Sequence, residues 1–198
     1  MLIYGAGGYA KVIIAILKAN NEKVTAIFDD DNSKKDLLQI PITGFYKFDF
    51  CPNEKLIIAI GNNVIRKSLS EKIGHACGIA IHPSALVDES VQIGEGTCVM
   101  QNAVIQIDSK IGKHVIINTS VSVDHDGIIE DFVHLAPGVT LAGNVHIGEN
   151  TLIGVGSIVA PGIKIGKDCL VSTGSVVTKN IPDGCVIRGN PARIIRQQ

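Results

Sequence analysis

The sequence predicts a small parallel-sheet, Rossmann-like α/β domain followed by a left-handed parallel β-helix of hexapeptide repeats. Three observations carry this reading. An aliphatic residue recurs at every sixth position from Ile81 to Val177 without exception. Of the three Tyr and five Phe, only Phe132 lies beyond residue 50. Near the N-terminus a Gly-rich turn, Gly5-Ala6-Gly7-Gly8, joins the apolar tripeptide Leu2-Ile3-Tyr4 to a helical pattern.

The boundary falls where composition changes. A chain of 198 residues has room for one domain or two small ones. Residues 1–79 hold the helical patterns and nearly all the aromatic residues. Residues 80–198 are dominated by Ile, Val, Gly, Ser, Thr and Asn, show no long amphipathic helix, and end in a short tail.

In the first part, residues 2–4 read as a strand and the segment that follows as a Gly turn and helix. Residues 24–28 form a second strand ending in Asp29, Asp30 and Asp31. Residues 56–60 form a third, followed by Gly61-Asn62-Asn63 and a helix through about Ile73. This order describes a small parallel sheet. Gly5 to Ala10 matches G-x-G-x-x-[G/A], with acidic residues about twenty positions on, the spacing of a dinucleotide fingerprint. About 80 residues, however, supply only one of the two mononucleotide halves that a dinucleotide fold uses. The physical content of the motif is narrower. Gly7 and Gly8 let backbone N–H groups approach a phosphate at a helix N-terminus, and Asp29 or Asp30 can hold a sugar hydroxyl. An empty tight turn and a solvated acidic loop are the alternatives. The place of the acidic run, at the carboxyl end of a strand beside the Gly loop and Gly61-Asn62, favours a ligand.

In the second part, a period of six fits neither a helix nor a continuous strand. It fits a short strand, in which residues i and i−2 point the same way, followed by a tight corner that Gly, Asn or Asp tolerates. The position two residues before the aliphatic is often small, as at Ala85, Thr97, Ala103, Ser109, Thr151 and Ser157; Gly often follows it, as at Gly94, Gly112, Gly148, Gly154 and Gly166. Three six-residue units close a triangular coil, and stacked coils pair at ~4.8 Å. The residue before each aliphatic points outward, and every third unit shares a face. One face shows Gln92, Lys110, Ile128, His146 and Lys164 and reads as solvated. The second shows Cys98, Ile116, His134, Leu152 and Leu170. The third shows Leu86, Val104, Ser122, Thr140, Ile158 and Val176. Two faces are too apolar for a monomer, which predicts a closed three-fold homo-oligomer.

Composition excludes several function classes. Hydrophobic residues make up 45% and charged residues 19%, which excludes global disorder. A formal net charge of −1 argues against a nucleic-acid partner, which needs a concentrated basic face. No apolar run approaches ~18 residues, so no membrane-spanning helix is expected, and the first residues show no secretion signal. The five Cys are scattered without a CxxC and read as free thiols in a reducing cytoplasm, the expected location. No role is assigned to His75, His82 or His114, read as surface or turn residues.

The whole chain resembles the bacterial nucleotide-sugar acyltransferases. It is most similar to the UDP-4-amino-sugar N-acetyltransferases of bacillosamine synthesis, with their perosamine and sialic-acid O-acetylating relatives. The resemblance rests on Ile3-Tyr4-Gly5-Ala6-Gly7-Gly8, Phe28-Asp29-Asp30 and Ala59-Ile60-Gly61-Asn62-Asn63. It continues through Asn118-Thr119-Ser120, Asp124-His125-Asp126, Phe132-Val133-His134, Ala142-Gly143-Asn144-Val145 and Gly189-Asn190-Pro191-Ala192. It implies an enzyme of glycan biosynthesis that takes acetyl-CoA as co-substrate, with no metal, and acetylates the 4-amino group of a UDP-linked 4-amino-4,6-dideoxy sugar. It implies His125 as general base and Asp126 as the carboxylate that raises its basicity; Asp124 flanks the other side, and the sequence leaves open which of the two orients the ring. It implies acetyl-CoA contacts at His134, Val155 and Thr173, and nucleotide-sugar contacts at Gly7, Gly8, Tyr9, Asp29, Asp30 and Gly61. Tyr9 departs from the His that relatives of this family carry there; a phenol can donate to phosphate but cannot carry that charge.

Imidazole suits the chemistry because it takes a proton at neutral pH. His125 and His134 are nine residues apart, half of an 18-residue coil, so one lies in a corner and the other on a face. The expected active site therefore lies between subunits, with His125 from one and His134, Val155 and Thr173 from the next. Three other readings compete. One is a sialic-acid-type sugar O-acetyltransferase. Another is an interface-zinc lyase like the β-helical carbonic anhydrases, for which His114, His125, His134 and His146 lack the spacing of five. The last is a non-catalytic nucleotide-sugar sensor.

Overall fold

Short apolar runs flanked by Gly and Asp can only make short strands, and the computed structural model, which describes residues 1–197, bears this out. In order come β1 (Leu2–Tyr4), α1 (Gly8–Ala19), β2 (Ala26–Phe28), a hairpin of β3 (Asp36–Leu37) and β4 (Ile40–Pro41), β5 (Leu56–Ile58) and α2 (Asn63–Ser70). The sheet runs β2-β1-β5, all parallel. Every residue of its three strands is buried, which is why these segments read as unbroken apolar runs rather than alternating ones. The small hairpin was not legible in the sequence, and α2 stops at Ser70, short of Ile73.

From Ala80 onward the chain winds into the β-helix. Each strand is two residues long and pairs in parallel with the strand 18 residues on, as Val104 with Ser122 and Ile116 with His134. Three parallel sheets result. The sixth-position aliphatics point inward, and Val99, Ile117, Val123, Leu135, Ile147 and Val171 are wholly buried. The small residues two positions earlier at Thr97, Ala103, Ser109, Thr151 and Ser157 are buried too, and their hydroxyls are satisfied. The Thr97 hydroxyl donates to Gly112 O at 2.8 Å and accepts from the Val115 N–H at 3.0 Å, tying neighbouring coils together.

The corners have two causes where the sequence suggested one. Every sixth residue from Gly96 to Gly174 sits at positive φ, including Asn102, Asp108, Ser120, Asp126, Asn144 and Asp168. Most of the series are Gly, Asn or Asp, which tolerate the left-handed region; His114, Ser120 and Phe132 adopt it because the coil imposes it. The glycines that follow the aliphatics answer a different need, because coils approach closely there. A Cβ on Gly94 would lie 2.6 Å from the carbonyl carbon of Gly112, and one on Gly154 would lie 2.6 Å from the Thr173 nitrogen.

The N-terminal part packs on the β-helix rather than hanging free. Residues of α1 share a core with Ala80, Cys98, Met100 and Ile116. The apolar reading of the second face therefore needs correction: Cys98 and Ile116 are covered by the chain's own α/β region, not left for a partner. Only its far end is open, with Leu170 at 41% exposure. The third face stays open, with Leu86 and Ile158 exposed. His75 and His114 are also buried, not on the surface: His75 bonds Tyr46, and His114 stacks on Phe132 with ring centroids 5.2 Å apart. All five cysteines are free. The last coil is closed by a hairpin of Cys185–Gly189 with Ala192–Gln197. No helix among the described residues is long and apolar enough to cross a membrane.

The inward register sets a contrast measurable by urea unfolding. Leu135→Ala, at a wholly buried position, is expected to cost about 2–5 kcal/mol. Lys110→Ala, exposed on the first, solvated face, is expected to stay within about 0.5 kcal/mol of the parent.

Candidate active site

The first part of the site is a loop cluster at the carboxyl ends of β1, β2 and β5. Gly7 caps α1 in an extended conformation and supplies no side-chain bond to the helix N-terminus. Gly7 and Gly8 are exposed, so the first N–H groups of α1 face outward. Asp29 braces this loop: its Oδ2 accepts from the Ala6 N–H at 2.6 Å and its Oδ1 from Lys34 Nζ at 3.1 Å. Burial alone would raise the Asp29 carboxyl, but the N–H groups of Asp31 and Ala6 and the Lys34 ammonium hold it below the ordinary range. Asp30 accepts from the Tyr4 hydroxyl at 2.8 Å. Burial, with Asp30 second, pushes the Tyr4 phenol well above its ordinary value. Tyr9 turns the other way: its hydroxyl lies beside the Cys98 thiol of the β-helix and in the field of Arg66, at the seam rather than in the open loop.

The seam is held by α2, and sequence reasoning missed its central residue. Arg66 is 1% exposed and makes no ion pair among the described residues. Its Nε donates to His114 O at 2.9 Å. Its Nη1 donates to Ile60 O at 3.1 Å and Gly61 O at 3.2 Å. Its Nη2 donates to Asn63 Oδ1 at 2.9 Å and Phe132 O at 2.8 Å. All five guanidinium donors are thus used on neutral oxygens, some from the Gly61 loop and some from the β-helix. Burial lowers Arg66 to about 10, which leaves it charged at neutral pH. Asn63 adds bonds to Asn150 O and Thr151 O, and Lys67 pairs with Glu149 at 2.6 Å. A lone Arg in an amphipathic helix carries no sequence signal of burial, so nothing pointed to it.

His134 sits at the edge of this seam, half-buried. Its Nδ1 lies 3.3 Å from Gly61 O, and its Nε2 lies 3.3 Å from Asn118 Nδ2. A carbonyl accepts and an amide nitrogen donates, so the proton is on Nδ1 and the lone pair on Nε2. Burial first and the Arg66 charge second push its pKa down to about 4. Asn118 opens the coil corner that continues upward. Its Oδ1 accepts from the Thr119 N–H at 2.8 Å. Eighteen residues apart on that corner, Val155 and Thr173 are exposed, and the Gly174 N–H bonds Val155 O at 2.8 Å. Gly61, His134, Val155 and Thr173 therefore follow one continuous border.

His125 is elsewhere. It is exposed at a different corner, between the strands Ser122–Val123 and Ile128–Ile129. Asp126 occupies the left-handed position of that corner with φ 58°. Its Oδ2 comes 2.7 Å from His125 Nδ1, while Asp124 binds the His125 backbone N–H at 2.8 Å. Asp126, not Asp124, is thus the carboxylate on the ring. That bond raises the His125 pKa above its ordinary value, and the lone pair available for proton transfer is on Nε2. The ring rests over Gly143 of the next coil, where an added Cβ would lie 2.5 Å from Nε2. Among the described residues no three His, Cys, Asp or Glu side chains gather as a metal site.

A hexapeptide β-helix with an exposed His–Asp pair at one corner and an extended border at another defines an acyltransferase of the hexapeptide-repeat class. Comparison with known proteins narrows this. The PglD N-terminal domain family matches residues 1–73, and the hexapeptide repeat of succinyl-transferase matches residues 144–179. The UDP-N-acetylbacillosamine N-acetyltransferase of Bacillus subtilis (strain 168) is 40% identical over 107 residues, 50% of each chain. The GDP-perosamine N-acetyltransferase of Escherichia coli O157:H7 is 30% identical over 159 residues, 75% of this chain and 72% of that one. The crystal structure of PerB from Caulobacter crescentus in complex with CoA and GDP-perosamine superposes with a TM-score of 0.92 at 41% identity, covering 98% of this chain and 96% of that one. The chain belongs to the family of nucleotide-sugar N-acetyltransferases.

The two site histidines should titrate in opposite directions in NMR spectra. His134 should stay neutral down to about pH 4. His125 should titrate above its ordinary 6.5, because Asp126 favours the protonated ring, and Asp126→Asn should bring that midpoint down. An unchanged midpoint in Asp126→Asn would place the cause of the shift elsewhere.

Proposed function

We propose that the protein transfers the acetyl group of acetyl-CoA to the 4-amino group of a nucleotide-linked 4-amino-4,6-dideoxy sugar, with UDP as the nucleotide. The observation that carries this is the border through His134. It joins the Gly61 loop, beside Gly7, Gly8, Asp29 and Asp30, to the corner of Val155 and Thr173. A nucleotide sugar seated with its phosphates at the start of α1 points its sugar toward His134. An extended acyl carrier lying along the corner brings its thioester to the same place. The closing hairpin carries Arg188, Arg193 and Arg196, three of the four arginines of the chain, beside the upper end of that corner. Charged phosphates of the carrier suit such an end. Tyr9, turned to the seam, contributes to the loop by packing.

His125 is the general base. The sugar amine attacks the thioester carbonyl; its nitrogen–carbon bond forms as the carbon–sulfur bond breaks. The amine proton passes to His125 Nε2, and CoA leaves as the thiol once protonated. Asp126 stabilises the imidazolium that this creates. Because His125 stands at a corner away from His134, the site is completed by a neighbouring subunit: His125 of one protomer faces the His134 border of the next in a homotrimer. The exposed third face, with Leu86 and Ile158, supplies apolar surface for that contact. Membership in an N-acetyltransferase family favours amine over hydroxyl as acceptor. UDP follows the 40% identity with the Bacillus subtilis enzyme; the fuller match to a GDP-perosamine enzyme supports GDP as the second reading.

Thiol release from acetyl-CoA, with UDP-, GDP- and dTDP-linked amino sugars and free sialic acid as acceptors, tests the reaction. Turnover is expected with the UDP-amino sugar; turnover only with sialic acid would overturn the N-acetyl reading. His125→Ala should lower kcat by about 10²–10⁴ while acetyl-CoA still binds. Mixing His125→Ala protein with a His134→Ala/Thr173→Trp variant, with subunit exchange, should restore activity, since every mixed trimer holds one interface with both intact halves. No recovery despite proven exchange would place the site within one subunit.

A further inference from the structure

We infer that Arg66 is a positioning residue for the transfer reaction: by gripping the backbone on both sides of His134, it presents that ring with its Nε2 lone pair toward the acetyl-CoA corner. This inference rests on the proposed role of His134. The geometry is direct. Arg66 Nη1 holds Gly61 O, and Gly61 O is the acceptor for His134 Nδ1. Arg66 Nη2 holds Phe132 O, two residues before His134 on the same strand approach. One rigid guanidinium thus fixes both the ring's partner and the ring's own backbone, with a planar geometry that a lysine cannot reproduce.

A side chain this buried, without a carboxylate, is an expensive way to join two parts of a protein. Apolar packing between α1 and the β-helix already joins them. What the charge adds is a constraint on His134. Around that ring, the stacked strands bring Ile116 and Leu152, and the corner brings Asn118. Arg66 is the charged group that acts on it. A positive charge there opposes protonation of the imidazole, and the anchored Gly61 carbonyl opposes the other neutral tautomer, which would leave that oxygen facing a lone pair. The consequence is a division of labour. His134 stays an acceptor throughout the working pH range: its Nε2 lone pair holds the Asn118 amide in this structure, and an amide N–H of the acyl carrier or the amine takes that bond by displacing the Asn118 side chain. His125 alone changes charge.

The test reads the ring itself. In ¹⁵N-labelled wild-type protein, His134 should show the pattern of a neutral ring protonated on Nδ1 from pH 5 to pH 8. Arg66→Lys retains charge but loses the fork; Arg66→Gln loses the charge as well. In whichever of these folds, His134 should move to a mixture of tautomers, and in Arg66→Gln it should also titrate closer to 6.5. The KM for acetyl-CoA should rise by about tenfold, the worth of one oriented hydrogen bond, with a smaller change in kcat and an unmoved His125 midpoint. A wild-type His134 protonated on Nε2, or titrating near 6.5, overturns the inference however the variants fold. So does a folded Arg66 variant with unaltered His134 signals. If instead the ring behaves as expected but His134→Ala leaves the KM for acetyl-CoA unchanged, it is the reading of the acetyl-CoA corner that fails, not the role of Arg66 in setting the ring.

Discussion

Arg66 spends five hydrogen bonds on five neutral oxygens, and the arrangement of the functional groups follows from where those oxygens lie. Ile60 and Gly61 belong to the turn after β5; His114 and Phe132 belong to successive coils of the β-helix. Their spacing leaves little freedom for the α/β region to rock on the prism, because a buried cation that lost even one acceptor would face a large desolvation penalty. The apolar contact of α1 with Cys98, Met100 and Ile116 supplies non-directional attraction. The guanidinium turns that attraction into one orientation. Asn63 and the Lys67–Glu149 pair reinforce it from the same helix.

The β-helix contributes a different kind of precision. Its coils repeat every 18 residues, so a corner is a column of residues in fixed vertical register. An elongated ligand can run along such a column and meet a backbone group at each level, as the border from Asn118 past Val155 to Thr173 allows. Corners are also where the backbone turns through the left-handed region, and short polar side chains there fold back on their neighbours. Asp126 does this to His125. The His–Asp pair is therefore a by-product of corner geometry, local to two adjacent residues and independent of the rest of the fold. Gly143, one coil up, leaves the space that the ring occupies.

The two histidines illustrate how environment, not residue type, assigns roles. His125 is exposed with a carboxylate on its ring and gains a proton readily. His134 is half-buried beside a cation and does not. Both are imidazoles in the same β-helix, nine residues apart. One suits proton transfer; the other suits holding a hydrogen bond without changing charge.

The β-helix was fully legible in the sequence because its rule is local. Six residues decide one strand and one corner, and each unit repeats the decision, so side-chain direction, face composition and coil pairing all follow from counting. The Gly loop and the parallel sheet were legible for a similar reason, since each lies within a few residues of contiguous pattern. His125 and Asp126 could be named from adjacent letters, but which carboxylate takes the ring depended on the positive φ at Asp126, a property of the corner. What the sequence could not determine was anything set by contact between the two parts of the chain. The apolar outer residues Cys98 and Ile116 read as surface for a partner, yet the chain covers them itself. That the Tyr9 phenol turns to the seam beside Cys98 is likewise a matter of that contact. Arg66 carried no sequence signal of its burial. In each case the deciding neighbours lie tens of residues away, and no periodicity records them. Only the tertiary structure brings them together, because docking buries groups whose local sequence would suit either water or protein.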